Sequence, residues 1–338
     1  MTIVDEPVAD TGGFDALTPW SEPGWRAEAL SWAEDRLRAA GHEPGDRAGL
    51  RVRLRPWSVV AGIPVRGGAT AWFKANAPAS AFESALAGAL PAWVPGQVLT
   101  PLAVEPGRGW TLFADGGRSL ADAPALPDAW ETPLQQYAEL QRDLAAHADA
   151  LLELGVPDRR PPLLAGGMSM LLARASGVDD AVHDAIGGLG ARYAGWCAEL
   201  AGSGVPVTLD HGDLQDGQVF VRGDGRYVFH DWDAASVAFP FASLAVTARV
   251  VRARFGADGP AVLARLRDAY LEPWTADGHT RAELTRLAGL ACRVAPIGQV
   301  FRALAPGRMF PGSAMDTRAV HSVAAQQALV AACGLLVD

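Results

Sequence analysis

What most constrains the fold is a change of hydrophobic period near residue 115. Before it, apolar residues recur every second position. Leu50-Arg51-Val52-Arg53-Leu54-Arg55 alternates strictly, as a half-buried strand does. Trp57 to Val65 reads as a second strand. Arg66-Gly67-Gly68 is a turn, and the strand around Thr70 to Ala75 completes an antiparallel meander. Ser80-Ala81-Phe82-Glu83 has the spacing of a capping box opening a helix that runs to Leu90. Val98 to Val104 and Trp110 to Ala114 are two more strands, joined by the turn Glu105-Pro106-Gly107-Arg108-Gly109. A helix over 24–40, carrying Trp25, Trp32 and Leu37 and stopped at Gly41, precedes them. After Asp115-Gly116-Gly117 the period becomes helical. Leu134, Tyr137, Leu140, Leu144, Leu151 and Leu152 mark one long amphipathic helix, and further helices are expected near 181–202, 240–255, 260–271, 281–304 and 318–336. The expected class is α+β in two lobes. Residues 1–115 form a five-stranded antiparallel sheet with a helix, and residues 116–338 a mainly helical lobe.

Composition narrows the partners. A chain of 338 residues, 49% hydrophobic and 20% charged, can bury a large core. The net charge of −9 argues against nucleic acid, whose partners present basic surfaces, and is compatible with a cationic small molecule. Cys197, Cys292 and Cys333 are widely spaced and form no CxxC pair, so neither a disulfide framework nor a zinc site follows and a reducing cytoplasm is expected. The stretch MTIVDEPVAD lacks an apolar signal core, and Ala328 to Val337 is too short to span a bilayer. The tryptophans read as core residues rather than a cage for substrate. Among 29 Lys and Arg there is a single lysine, Lys74, in the strand Thr70-Ala71-Trp72-Phe73-Lys74-Ala75. A chain that uses arginine everywhere else points to a site needing a compact ammonium on a flexible stem.

The segment Thr208 to Ser236 carries the chemistry. Gln218 to Arg222 and Tyr227 to His230 are short β runs joined by the turn Gly223-Asp224-Gly225-Arg226. Such a hairpin brings its ends together, so Asp213 and Gln218 lie at its entrance and Asp231 at its exit. Two carboxylates and an amide oxygen in one place are hard ligands of the kind Mg²⁺ accepts beside substrate phosphates. An Asp that does not bind metal can orient and deprotonate a hydroxyl.

His211-Gly212-Asp213-Leu214-Gln215-Asp216-Gly217-Gln218, the hairpin, and Asp231-Trp232-Asp233 together resemble the catalytic and metal loops of the aminoglycoside phosphotransferase and choline kinase group, small-molecule relatives of the protein kinases. The usual pattern there is H-G-D-L-H-x-x-N, a hairpin, then D-W or D-F. The resemblance, which spans about residues 50 to 250, implies a protein-kinase-like fold using ATP and Mg²⁺. It makes Asp213 the catalytic base or the group that positions the hydroxyl, and Asp231 and Gln218 the metal ligands. His211 braces the loop, and Asp233 is a second metal contact or a solvated acid. Lys74 is similar to the strand lysine that meets the α- and β-phosphates, and Glu83 to its ion-pair partner. Glu83 keeps its other reading as partner of Ser80, and the two are compatible. Phe113, Ala114 and Asp115 lie where a hinge meets adenine through backbone groups. Two positions depart from the pattern: Gln218 replaces Asn, which lengthens the stem by one methylene, and Gln215 replaces His. No G-x-G-x-x-G occurs around Gly62 or Gly67-Gly68, and no activation segment follows Asp231, which fits the small-molecule branch.

The expected activity is transfer of the ATP γ-phosphate to a hydroxyl of a small molecule such as an aminoglycoside-like antibiotic, a sugar or an amino alcohol. The acceptor is expected between Asp213 and the helices after residue 240, with Asp268 and Glu272 available to a cation. The competing reading, motivated by Gln218, is a pseudokinase-like binding or regulatory module without transfer.

Overall fold

The computed structural model describes residues 9–14, 18–122, 127–174 and 180–311. The expected helix over 318–336, the apolar stretch 328–337 and Cys333 lie outside the described residues. The chain divides into two compact units. Within the described residues the first runs to Gly117 and takes in residues 305–311, and the second runs from Arg118 to Leu304.

In the first unit, helix α1 (Pro23–Ala39) precedes strands β1 (Arg51–Arg55), β2 (Ser58–Pro64) and β3 (Thr70–Asn76). Helix α2 (Phe82–Trp93) then leads to β4 (Pro101–Glu105) and β5 (Trp110–Ala114). The sheet order is β1-β2-β3-β5-β4, antiparallel throughout. The meander is as expected, and β5 inserts between β3 and β4. The inward residues of β3, Ala71, Phe73 and Ala75, are buried. Phe73 meets the rings of Trp25, Trp32 and Trp110 edge-on at centroid distances of 6.3, 6.0 and 5.6 Å, a geometry that aligns positive ring edges with negative faces. The tryptophans of α1 therefore pin that helix to the sheet and are core residues.

The unit also gains a segment from far along the chain. Phe310 is buried in this core, its N–H donates to Pro56 O at 2.8 Å, and the Arg308 guanidinium lies 5.3 Å from the Trp57 ring centroid. The sequence reading placed residues 305–311 in the second lobe. An aromatic side chain that buries on the first sheet brings them back.

The second unit contains α3 (Glu131–Leu144), α4 (Ala148–Glu153), β6 (Asp158–Arg159), α5 (Pro161–Arg174), α6 (Asp180–Ala201), β7 (Thr208–Asp210), β8 (Val219–Val221), β9 (Tyr227–Phe229), β10 (Ser236–Ala238), α7 (Leu244–Phe255), α8 (Gly259–Leu271) and α9 (Arg281–Leu304). The single long helix expected over 134–152 is two helices, interrupted by a tight turn at Ala145–His147. Strands β6, β10 and β7 form a small sheet, with β6 and β10 parallel and β10 and β7 antiparallel. This sheet and α5 were not foreseen: strands of two or three residues carry too little alternation to be read. The β8–β9 hairpin forms as expected, with Val219 opposite Phe229. No helix among the described residues is long and apolar enough to cross a membrane.

Candidate active site

In the first unit, strand alternation sets Lys74 and Asn76 on the face of β3 opposite Phe73. Both converge on Glu83, in the first turn of α2. The Lys74 Nζ lies 2.6 Å from Glu83 Oε2, and the two side chains are only 12% and 4% exposed. Asn76 Nδ2 donates to the same carboxylate oxygen and to Ser80 O at 3.2 Å. The residue after Glu83 locks the helix to the sheet, with Ser84 Oγ donating to Trp110 O at 2.5 Å. A buried carboxylate is retained when it is paired and hydrogen-bonded, and this one is both. Ser80 ends a short 3-10 turn, and α2 opens after Ala81, whose side chain makes no capping bond.

Phe113 and Ala114 end β5, opposite Trp72 and Ala71 of β3. Asp115 is the first residue beyond the strand, and its Oδ1 accepts from Gly117 N at 3.0 Å. This turns the chain by an Asx-type bond and leaves Ala114 at a strand end.

In the second unit, β7 delivers the loop His211-Gly212-Asp213. His211 is fully buried, and its backbone N–H donates to the Tyr137 hydroxyl at 2.9 Å. Its Nε2 is 2.9 Å from His230 O, and its ring lies 4.6 Å from that of Trp232. His211 thus braces the loop that carries Asp213 against the segment that presents Asp231. Gly212 has φ +74°, and a Cβ there would fall 2.3 Å from Ala234 O. Asp213 Oδ1 accepts from Gln215 Nε2 at 2.8 Å and from Arg249 Nη2 at 3.3 Å.

The hairpin holds the two expected metal ligands at its mouth. His230 N donates to Gln218 O at 3.1 Å, and Asp231 is the next residue. Asp231 has φ 67°, the one positive value at a non-glycine among the described residues. That conformation costs on the order of 1–2 kcal/mol for an L-residue and marks a backbone shaped for a purpose. Gln218 Oε1 is buried and accepts no hydrogen bond. An orphaned, buried amide oxygen is suited to a hard cation. Among the described residues no group of three or more His, Cys, Asp or Glu could hold a metal. Mg²⁺ does not need such a cage, since it takes one or two protein ligands and completes its shell with phosphate oxygens and water.

Several supporting residues carry no motif. Gln299 and Arg302, one turn apart on α9, reach both loops: Gln299 Nε2 donates to Gly212 O at 3.1 Å and Arg302 Nη2 to Asp233 Oδ1 at 3.2 Å. Asp233 is therefore held by an arginine rather than solvated as a lone acid. Behind β7, Gln141 Nε2 donates to Leu209 O at 2.9 Å, Thr208 Oγ1 to Gln141 O at 2.6 Å and Ser243 Oγ to Asp210 Oδ1 at 2.5 Å. Burial raises the Asp210 carboxyl above the usual carboxylate range. The Ser243 and Gly212 hydrogen bonds, His211 and Arg159 act in the opposite direction. Asp268 and Glu272, expected to be open to a cation, are paired with Arg267 and Arg281.

No family model matches the chain, and no curated protein matches it in sequence. Solved structures do resemble it. The macrolide 2'-phosphotransferase of Brachybacterium faecium aligns with a TM-score of 0.54 at 20% identity, over 89% of this chain and 98% of that one. An ethanolamine kinase of Plasmodium vivax aligns at 0.57 and 14% identity, over 84% and 82%. A choline/ethanolamine kinase family protein of Mesorhizobium loti aligns at 0.51 and 17%, over 81% and 85%. The fold is the protein-kinase-like fold of small-molecule phosphotransferases, the group whose loops the sequence resembles.

Proposed function

We propose that this protein is an ATP- and Mg²⁺-dependent phosphotransferase acting on a hydroxyl of a small molecule. The observation that carries the proposal is the buried ion pair of Lys74, the only lysine of the chain, with Glu83 on the first helix after its strand. An ammonium held this way is fixed in position and largely covered from solvent screening, which suits it to phosphate oxygens. In this reading Lys74 contacts the α- and β-phosphates, and the Phe113-Ala114-Asp115 backbone meets the adenine. Gln218 Oε1 and Asp231 hold Mg²⁺, which neutralises charge on the phosphates. Asp213 orients the acceptor hydroxyl and takes its proton.

Gln218, the departure that motivates a non-transferring module, supports transfer instead, because its buried Oε1 lacks a hydrogen bond that a cation would replace. The names of the structural neighbours point to macrolides and amino alcohols as acceptors to try first. The test is ADP release over macrolides, aminoglycosides, sugars, amino alcohols and hydroxy acids, with Asp213→Asn alongside. Acceptor-dependent ADP release that falls by 10²-fold or more in the variant, the scale of positioned acid–base catalysis, supports the reading. Release that is equal in the variant removes Asp213 from the chemistry.

A further inference from the structure

Phosphoryl transfer at Asp213 poses a charge problem. A carboxylate that accepts a hydroxyl proton must stand beside an oxyanion group in transit, and like charges at that range repel. The loop His211 to Gln218 contains two aspartates and no Lys or Arg, and the only lysine is on β3. Beyond the Mg²⁺ assigned to Gln218 and Asp231, a cationic side chain within the second unit must come from another element. Helix α7, LAVTARVVRARF, carries three arginines and no acid.

Two of those arginines pair with the catalytic loop, and they differ. Arg254 binds Asp216 at 2.5 Å with both side chains largely covered, at 33% and 20% exposure. Arg249 approaches Asp213 Oδ1 at 3.3 Å, long for a charge-assisted hydrogen bond, and is 67% exposed. One Nη2 contact occupies it, and a guanidinium has five N–H donors in a planar fork. Arg254 has the geometry of a fixed strut. Arg249 is a loosely held cation with spare donors beside the carboxylate where the transfer takes place.

We infer that Arg249 is the oxyanion contact of the transfer site, moving from Asp213 onto an oxygen of a phosphoryl group during turnover. This rests on the proposed phosphotransferase reading. In the step, the acceptor oxygen forms a bond to the γ-phosphorus and the bond from that phosphorus to the β–γ bridging oxygen breaks. The bridging oxygen leaves with the electron pair as part of ADP, and the hydroxyl proton passes to Asp213. Arg249 makes no covalent bond. It offsets the charge on the transferred group's oxygens, and by leaving Asp213 it frees that carboxylate to receive the proton. The shared chemistry is an oxyanion, which belongs to the γ-phosphoryl or to an anionic substituent on the acceptor.

The experiment measures binding of Mg-ADP, and of Mg-ADP with aluminium fluoride as a mimic of the phosphoryl group in transit, to the wild type, Arg249→Gln and Arg249→Lys, with melting curves to confirm folding. The expected result is unchanged Mg-ADP affinity in both variants. Affinity for the fluoride complex falls about tenfold or more in Arg249→Gln and is partly restored in Arg249→Lys, which keeps the charge but loses the fork. A covered structural pair would not separate the two ligands in this way. If the fluoride complex binds normally to Arg249→Gln, and acceptors bearing carboxylate or phosphate lose turnover while neutral ones keep it, the oxyanion belongs to the acceptor. Wild-type behaviour of Arg249→Gln in every arm overturns the inference and leaves the phosphotransferase reading standing. Failure of the wild type to bind Mg-ADP at all overturns both.

Discussion

A Cβ on residue 212 would fall 2.3 Å from the carbonyl oxygen of Ala234. Gly212 belongs to the loop that carries Asp213, and Ala234 to the turn that follows Asp231. The two loops meet backbone to backbone, so the glycine is required twice, by its φ of +74° and by this approach. Gly212→Ala should lose about 1–3 kcal/mol of stability and, by pushing the loops apart, weaken Mg-ATP binding as well. Urea denaturation and nucleotide titration on the same preparation check both effects. A variant with normal stability would show that the loops can separate freely.

The Lys74–Glu83 pair makes a prediction about its two halves. Removing one partner leaves a charge in a covered place, which costs about 3–5 kcal/mol, whereas removing both charges restores much of the loss. Glu83→Gln keeps an acceptor for Asn76 Nδ2 but strands the ammonium. It should therefore be less stable than Lys74→Met with Glu83→Gln combined. Neither protein should bind ATP with wild-type affinity. Denaturation midpoints with a constant slope give the stability order.

Asp210 gives a pH dependence with a definite sign. Burial raises its carboxyl in the folded state, so the folded protein binds that proton more tightly than the unfolded chain does. Stability then falls as pH rises from the unfolded value, about 3.9, through the raised folded value. The ordinary paired carboxylate behaves in the opposite way. Asp210→Asn keeps Oδ1 for Ser243 and removes the titration. The stability of the wild type relative to this variant should therefore decline between pH 4 and neutrality. A difference that stays constant with pH would place the Asp210 charge in a compensated site.

On α9, Gln299→Leu removes the bond to Gly212 O. It should cost roughly 1 kcal/mol and lower turnover more than nucleotide affinity, because the loop it steadies carries Asp213, the proposed base. Single-turnover ADP formation beside equilibrium binding separates the two. An equal fall in both would assign Gln299 a general structural role.

Much of the fold was legible because its signals are local. Alternation in Leu50 to Arg55 and the turn at Gly67-Gly68 depend only on neighbouring residues, and β1, β2 and β3 follow them. The lone lysine in a strand marked Lys74, and the resemblance to the phosphotransferase group supplied Glu83 as its partner, the pair that the structure forms. Asn76 shares a strand face with Lys74 and could have been read from the same alternation. Other features had no local signal. Gln299 and Arg302 are ordinary helix residues until α9 reaches the loops more than 60 positions earlier in the chain. Phe310 has no local signal tying it to residues so far back in the chain, and only burial brings it to the first unit.

The most direct test of the central claim is calorimetric titration of ATP into the purified protein with and without Mg²⁺, beside Asp231→Ala. The account predicts binding that requires Mg²⁺ for full affinity and is weakened in Asp231→Ala. ATP binding that ignores both the metal and the substitution, or no binding in any condition, would contradict it.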